Sequence, residues 1–319
     1  MPSPSLNVSL FRTLPAGERQ RILSKLAPTQ QAQLRYAWRE FWARPSQIPP
    51  ASNWTVWLYC AGRGSGKTRS AAEYIRWRVE TGQAKRVGII GQDAADTRDV
   101  CVLGESGLLA VCPPWNKPVY EPSRRVVRWP SGAICTLYSD SDYESLRGPQ
   151  FDCLWYDEMG AFKNATATYD TGMLALRLGD PKAIVTTTPK NIEIIRRLLA
   201  DPKVVVTRDS TYSNRSNLPE SFFSSIVGRY AGTRLSKQEI EGQLLLDVPG
   251  ALWQASWIED HRVDPARKIR MKKVVVALDP AVVASETSCE TGLVVAGVGE
   301  QDHRLYLMVD ASGKYSTDG

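Results

Sequence analysis

The chain has 319 residues, 43% of them hydrophobic, with a formal charge of +6 and a pI near 9.0. That balance excludes a disordered chain and a single small module, and leaves one large domain or one domain and part of another. The positive excess permits a polyanionic partner such as nucleic acid without requiring one. No apolar run reaches membrane-spanning length and the N-terminus lacks the regions of a signal peptide, so a cytoplasmic protein is expected, with no membrane partner. The six cysteines (Cys60, Cys101, Cys112, Cys135, Cys153 and Cys289) form no close metal-binding pair, and their setting in apolar runs predicts buried, reduced thiols.

In chain order, residues 18–26 and 30–42 read as helices, and a Pro-rich connector (Pro45, Pro49, Pro50) leads into an apolar strand at 54–60. The loop Ala61-Gly62-Arg63-Gly64-Ser65-Gly66-Lys67-Thr68 follows, then a helix over 69–80 with Ala71, Ala72, Ile75 and Val79 on one face and Gly82 as its stop. Residues 86–91 read as a second buried strand. Residues 125–129 and 133–138, around Pro130-Ser131-Gly132, read as an antiparallel hairpin. Strands are predicted at 151–156, 183–187 and 204–207, with a helix at 192–199. Strands alternating with helices define an α/β domain with a mainly parallel sheet, whose ligands bind outside the carboxyl ends of the strands. The helical pattern of 236–246 stops near Asp247-Val248-Pro249-Gly250. Residues 272–278, 292–298 and 304–309 then read as an antiparallel meander, too small to bury much core.

The Gly-rich loop between a strand and a helix has the make-up of a nucleotide-phosphate cradle, with Ala61 where the general pattern carries Gly. Backbone N–H groups from Gly62 through Thr68 point at the phosphates, Lys67 reaches the β- and γ-phosphates, and the Thr68 hydroxyl helps hold Mg²⁺. The second signal is the apolar strand ending in Asp157-Glu158. Asp157 is placed to orient Mg²⁺ and Glu158 to act as general base on a water, provided the backbone turns there, because successive strand residues face opposite sides. Arg147, just ahead of that strand, is a candidate cationic finger for the transferred phosphoryl group, within the subunit or on a neighbour; a surface salt bridge or DNA contact is the other reading. Thr186-Thr187-Thr188 ends another strand, and Thr187 is taken as the hydroxyl that senses the γ-phosphate. ATP and Mg²⁺ are the cofactors this site calls for.

Taken in order, Trp42-Ala43-Arg44-Pro45-Ser46-Gln47, AGRGSGKTRSAAEY, Asp96-Thr97-Arg98-Asp99-Val100, Gly104-Glu105-Ser106-Gly107, SLRGPQFD, LWYDE and TTTPK resemble the large terminase subunit of tailed phages and related gene-transfer particles. The resemblance covers nearly the whole chain. It implies an ATP-driven motor that moves double-stranded DNA into a preformed capsid. The implied partners are DNA, a small terminase subunit, the capsid portal and further copies of the chain in a ring, in the bacterial host cytoplasm. It places adenine recognition on Gln47. It also implies an RNase H-like nuclease domain that cuts the concatemer with two divalent metals, Mg²⁺ or Mn²⁺, with Asp279 as the first-strand acid and Asp310 as a second candidate. The remaining acids of that family would lie beyond Gly319, so the nuclease part is expected to be incomplete. The resulting division is a helical segment at 1–50, a P-loop ATPase domain at 51–248, a linker at 249–271 and a partial nuclease domain at 272–319. Two alternatives stay open: another P-loop enzyme, such as a helicase-like translocase or a small-molecule kinase, and an inactive prophage remnant that only binds nucleotide.

Overall fold

In the computed structural model, residues 11, 14–224, 234–244, 257–258, 261–263, 268–280 and 291–313 are described. Cys289 and the break at 247–250 fall outside them; the helix read over 236–246 forms only over Arg234–Glu239, and residues 240–244 after it are not helical.

Two helices, α1 (Ala16–Leu23) and α2 (Pro28–Arg35), precede the first strand, β1 (Val56–Ala61). A single helix over 30–42 is not what forms: α2 ends at Arg35 and a separate π turn spans Trp38–Trp42. Tertiary contacts account for the break. Arg76 Nη2 donates to the Tyr36 carbonyl at 2.8 Å, and the Arg39 and Arg69 guanidiniums lie 4.1 and 5.1 Å from the Trp77 and Trp38 rings. These three arginine contacts fasten the segment to the helix α3 (Lys67–Glu80), which follows β1.

Besides short helical turns, the first unit continues with β2 (Arg86–Gly91), β3 (Val119–Glu121), β4 (Val126–Arg128), β5 (Ile134–Ser139), β6 (Cys153–Tyr156), α4 (Ala165–Ala175), β7 (Lys182–Thr187), α5 (Glu193–Ala200), β8 (Val204–Asp209) and α6 (Arg234–Glu239). The eight strands form one sheet in the order β3-β4-β5-β2-β6-β7-β1-β8. Every pair from β5 to β8 is parallel, and β3 and β4 add an antiparallel edge, in which the hairpin β4–β5 is the predicted one and β3 is an addition.

β1 is apolar along its whole length because both faces of the sheet are covered. Trp57 and Tyr59 enter one core with Ala71, Ile75 and Val79 of α3, Ile89 and Trp155; Leu58 and Cys60 enter the other with Ile90, Tyr156, Tyr169 of α4 and Ile194 of α5. Cys60, Cys101, Cys112, Cys135 and Cys153 are buried free thiols, and burial pushes the Cys60 thiol up to about 11. Gly82 stops α3 with a φ of +72°, a conformation that costs a side chain energy.

The chain divides into two units, Met1–Leu246 and Asp247–Gly319. The second unit contains a three-stranded antiparallel sheet of β9 (Met271–Asp279), β10 (Gly292–Gly299) and β11 (Leu305–Asp310), with β10 in the middle. Asp279 pairs with Gly292 and Asp310 with Val294, two residues apart on β10. With a side-chain period of two, the two acids therefore share one face at one end of this sheet.

Candidate active site

β1 and β6 are neighbours of β7, one on each side, so the loop after β1, the residues after β6 and the end of β7 meet at one edge of the sheet. Gly64 and Gly66 adopt φ of +72° and +91°, and this left-handed pair turns the chain from strand to helix. Lys67, the first residue of α3, is buried with Nζ 3.1 and 3.2 Å from the Ala61 and Gly62 carbonyls. The amides of Gly64, Gly66, Lys67 and Thr68 have no acceptor among the described residues, at a helix N-terminus where they form an anion nest.

After Tyr156 the strand pairing continues for one residue, through Asp157 N–H to the Ile90 carbonyl at 2.9 Å, and then the backbone turns. Glu158 makes the turn, with φ 54° and ψ 47°, a left-handed conformation uncommon outside glycine. That turn resolves the facing problem posed by two adjacent carboxylates. Asp157 Oδ1 lies 3.5 Å from the Thr68 hydroxyl and accepts from the Thr186 hydroxyl at 2.7 Å. Glu158 Oε1 accepts from the Thr188 N–H at 2.7 Å and its hydroxyl at 2.5 Å, and Oε2 stands 3.8 Å from Lys67 Nζ.

Thr186 and Thr188 thus hold the two carboxylates, whereas Thr187, the threonine chosen from the sequence, faces away. Its hydroxyl accepts from the Gly160 N–H at 2.9 Å and donates to the Thr188 carbonyl at 2.7 Å. The parity of the strand end decides which hydroxyls face the site, and three threonines in a row do not reveal it. Gln47 is buried beside the loop: its Oε1 accepts from Arg44 N–H at 3.1 Å, and a Cβ added at Gly66 would lie 2.6 Å from its Nε2. Arg147 ends a 3₁₀ helix (Asp140–Arg147), and its exposed guanidinium pairs with Glu144 at 2.8 Å and bonds neither the loop nor the two carboxylates among the described residues. Arg63 is an exposed loop residue.

The donor chemistry of Thr68 and Asp157 fits a Mg²⁺: two hard oxygens close together beside a phosphate-binding loop. Asp279 and Asp310 are different. Among the described residues no group of three or more His, Cys, Asp or Glu side chains converges to hold a metal, so the pair does not by itself fit a two-metal centre.

Burial raises the Asp157 carboxyl to about 6, the nearby Glu158 charge adds to the rise, and the hydrogen bond from Thr186 opposes it. A folded value above the unfolded one near 3.9 means that stability is greatest below the unfolded value and falls as pH rises through about 6. Asp157→Asn removes that titration. In metal-free, nucleotide-free buffer the variant is expected to melt higher than wild type at pH 8, by on the order of 1–3 kcal/mol of stability, with the gap closing towards pH 4. A gap independent of pH in thermal melts would contradict the raised carboxyl.

Four residues not singled out from the sequence complete the surroundings. Arg44, Asp209, Thr211 and Asn214 bond to the outside of the loop or to one another. Asp209 ends β8, the strand beside β1, and a strand-end carboxylate next to the loop strand is the one sequence signal that points to it.

A Gly-rich loop capped by a buried lysine at the start of a helix, two carboxylates at the end of a strand two places away across β7, and a parallel sheet define a P-loop nucleoside triphosphatase. Residues 58–260 match the family "Terminase large subunit, T4likevirus-type, N-terminal", and the chain belongs to that family. The fold is also that of a solved phage enzyme, the large terminase of a thermophilic bacteriophage in complex with ADP, at 15% identity and a TM-score of 0.50, over 90% of this chain and 68% of that one. Two further similar structures are the ATPase domain of the Thermus phage P74-26 large terminase, with 13% identity, TM-score 0.48 and coverage of 72% and 99%, and the bacteriophage HK97 large terminase, with 15% identity, TM-score 0.46 and coverage of 88% and 62%. At these identities the likeness concerns fold alone. No curated protein matches the chain. Among the described residues no helix is long and apolar enough to cross a membrane.

Proposed function

We infer that this large-terminase chain is an ATPase subunit of a viral DNA-packaging motor, hydrolysing ATP to move double-stranded DNA into a procapsid. The single observation that carries the chemistry is the meeting of Lys67, Thr68, Asp157 and Glu158 at the ends of β1 and β6.

ATP enters with its phosphates on the free amides of Gly64, Gly66, Lys67 and Thr68, those of Gly62 and Arg63 being held by the Asp209 and Glu239 carbonyls, and the Lys67 ammonium leaves the Ala61 and Gly62 carbonyls for the β- and γ-phosphate oxygens. Thr68 and Asp157 are the residues to hold Mg²⁺, which when bound neutralises charge on the transferred group. Glu158, its Oε1 fixed by Thr188, takes a proton from the attacking water on Oε2. Gln47 is our candidate for reading the adenine edge, and Arg147 for a finger directed at the γ-phosphoryl group, its exposed position suiting action on a neighbouring copy. Thr186 and Thr188 tie both carboxylates to one strand end, so a change at the γ-phosphate reaches β7 directly. A ring of copies, a small terminase subunit and a capsid portal are the partners that the family reading implies. On the same reading the β9–β11 sheet begins a metal-dependent nuclease domain, with Asp279 and Asp310 as its first acids and further ligands needed to complete it.

Steady-state ATP hydrolysis with and without double-stranded DNA tests the motor. Several-fold stimulation by DNA is expected. Turnover that ignores DNA and passes phosphate to a small acceptor would instead make the chain a kinase, and nucleotide binding without hydrolysis would make it an inactive remnant.

A further inference from the structure

Three consecutive carbonyls of the phosphate loop accept hydrogen bonds from side chains outside it. The Thr211 hydroxyl donates to the Arg63 carbonyl at 2.6 Å, Asn214 Nδ2 to the Gly64 carbonyl at 2.7 Å and Arg44 Nη2 to the Ser65 carbonyl at 2.5 Å. These donors come from two distant parts of the chain, the segment before β1 and the 3₁₀ turn after β8 (Thr211–Asn217). Two of the donors, Arg44 and Asn214, are also bonded to each other. Arg44 Nη1 donates to Asn214 Oδ1 at 2.7 Å, and Arg44 Nη2 pairs with Asp209 Oδ2 at 3.3 Å.

Asp209 is the post on which the assembly hangs. Its Oδ2 also accepts from the Ser46 hydroxyl at 2.6 Å and from the Tyr59 hydroxyl at 3.2 Å, and its own carbonyl accepts the Gly62 N–H at 3.0 Å. Burial pushes this carboxyl up, but hydrogen bonds from Ser213 and Ser46 and the Arg44 charge outweigh it and hold the group below the usual carboxylate range.

In a trans peptide the carbonyl and the following N–H point in opposite directions. A donor that grips the Arg63 carbonyl from outside therefore turns the Gly64 N–H inward, and a grip on the Ser65 carbonyl does the same for the Gly66 N–H. Both of these amides lack an acceptor among the described residues, and both belong to glycines with positive φ, whose peptide planes are otherwise free to rotate. We propose that Arg44, anchored by Asp209, together with Thr211 and Asn214 forms an outer clasp that fixes the phosphate-binding amides of the loop before nucleotide arrives. They are positioning residues: none touches the phosphates, and each acts through a loop peptide. The same clasp makes the loop answer to the Thr211–Asn217 turn, because moving that turn releases the Gly64 and Arg63 carbonyls together.

The inference rests on the nucleotide-binding reading of the site, and the test separates the two. Binding of ADP, pyrophosphate and adenosine, each with Mg²⁺, is measured by calorimetry for the wild-type chain and for Arg44→Gln, Arg44→Lys and Asn214→Ala, with thermal melts as a check on folding. ADP and pyrophosphate affinity is expected to drop roughly tenfold to a hundredfold in Arg44→Gln, the usual effect of losing a charged hydrogen bond, and several-fold in Asn214→Ala. Arg44→Lys, which keeps one donor for the Ser65 carbonyl, is expected to fall between. Adenosine binding should be unchanged, because it uses none of these amides. Variants that melt like wild type and bind ADP and pyrophosphate as tightly would overturn the clasp, as would a loss confined to ADP and adenosine. A wild-type chain that bound neither ADP nor pyrophosphate would instead remove the nucleotide reading itself, and the clasp with it.

Discussion

Glu158→Gln is expected to cut ATP turnover by roughly a hundredfold to ten-thousandfold while leaving ADP affinity within a few-fold of wild type. The size follows from what general-base catalysis contributes, and the selectivity follows from the geometry. Glutamine has the shape of glutamate, and its amide oxygen can still accept both the Thr188 N–H and the Thr188 hydroxyl, which hold Glu158 Oε1 at 2.7 and 2.5 Å. The left-handed turn at Glu158 is therefore kept, and so is the neighbouring Asp157. What disappears is the basic oxygen, together with a 3.8 Å ion pair to Lys67. The pair lies at the long end of the range and its glutamate is 41% exposed, so its loss costs little binding. Single-turnover hydrolysis beside calorimetric ADP titration separates the two quantities. Equal turnover in both proteins would remove Glu158 from the role of base; a parallel collapse of ADP affinity would mean that the substitution had disturbed the loop.

The parts of the site that are legible in the sequence are local in the chain. Eight consecutive residues from Ala61 to Thr68 carry the phosphate loop, and a four-residue apolar strand ends directly in Asp157 and Glu158. Each is recognisable because the residue types and the strand–loop–helix context fall within one short window. The parallel sheet is legible for the same reason, since its buried strands are short runs of apolar residues between turn signals.

What stays hidden depends on contacts far apart in sequence. Arg44 and Asp209 are 165 positions apart, and nothing in either neighbourhood announces the other. The choice between Thr187 and its neighbours depends on which face of the sheet each side chain of the β7 end takes, a parity that three threonines in a row do not reveal. Helix α4 gives no sequence signal because ATATYDTGMLA carries three threonines and a glycine and has no apolar stripe. It is helical because of its surroundings. Asp140, buried at the start of its 3₁₀ turn, accepts from the Lys163 and Asn164 amides and from the Thr168 hydroxyl, so a remote carboxylate caps the helix in place of a local one.

That same helix carries the second large expected effect. Gly172→Val should destabilise the first unit by about 3 kcal/mol or more and lower its melting temperature by roughly 6–12 °C. Gly172 is where α4 touches β6: a Cβ there would run into the Tyr156 hydroxyl and stand 3.1 Å from its Cζ and 3.3 Å from Leu154 Cδ1. Neither partner can yield. The Tyr156 ring is fully buried, 5.6 Å from the Tyr169 ring, and its hydroxyl bonds the Tyr169 carbonyl at 3.3 Å. The burden then falls on the seating of α4, or on β6 itself, whose next two residues are Asp157 and Glu158. A loss of stability accompanied by slower turnover would show that the helix positions the carboxylates as well as covering the sheet. Leu174→Ala is the control, because Leu174 is 77% exposed on the same helix and its truncation should leave the melt unchanged. If Gly172→Val melted within a degree of wild type, the close approach of α4 to Tyr156 would not exist in solution, and the small residues of ATATYDTGMLA would need another explanation than this contact.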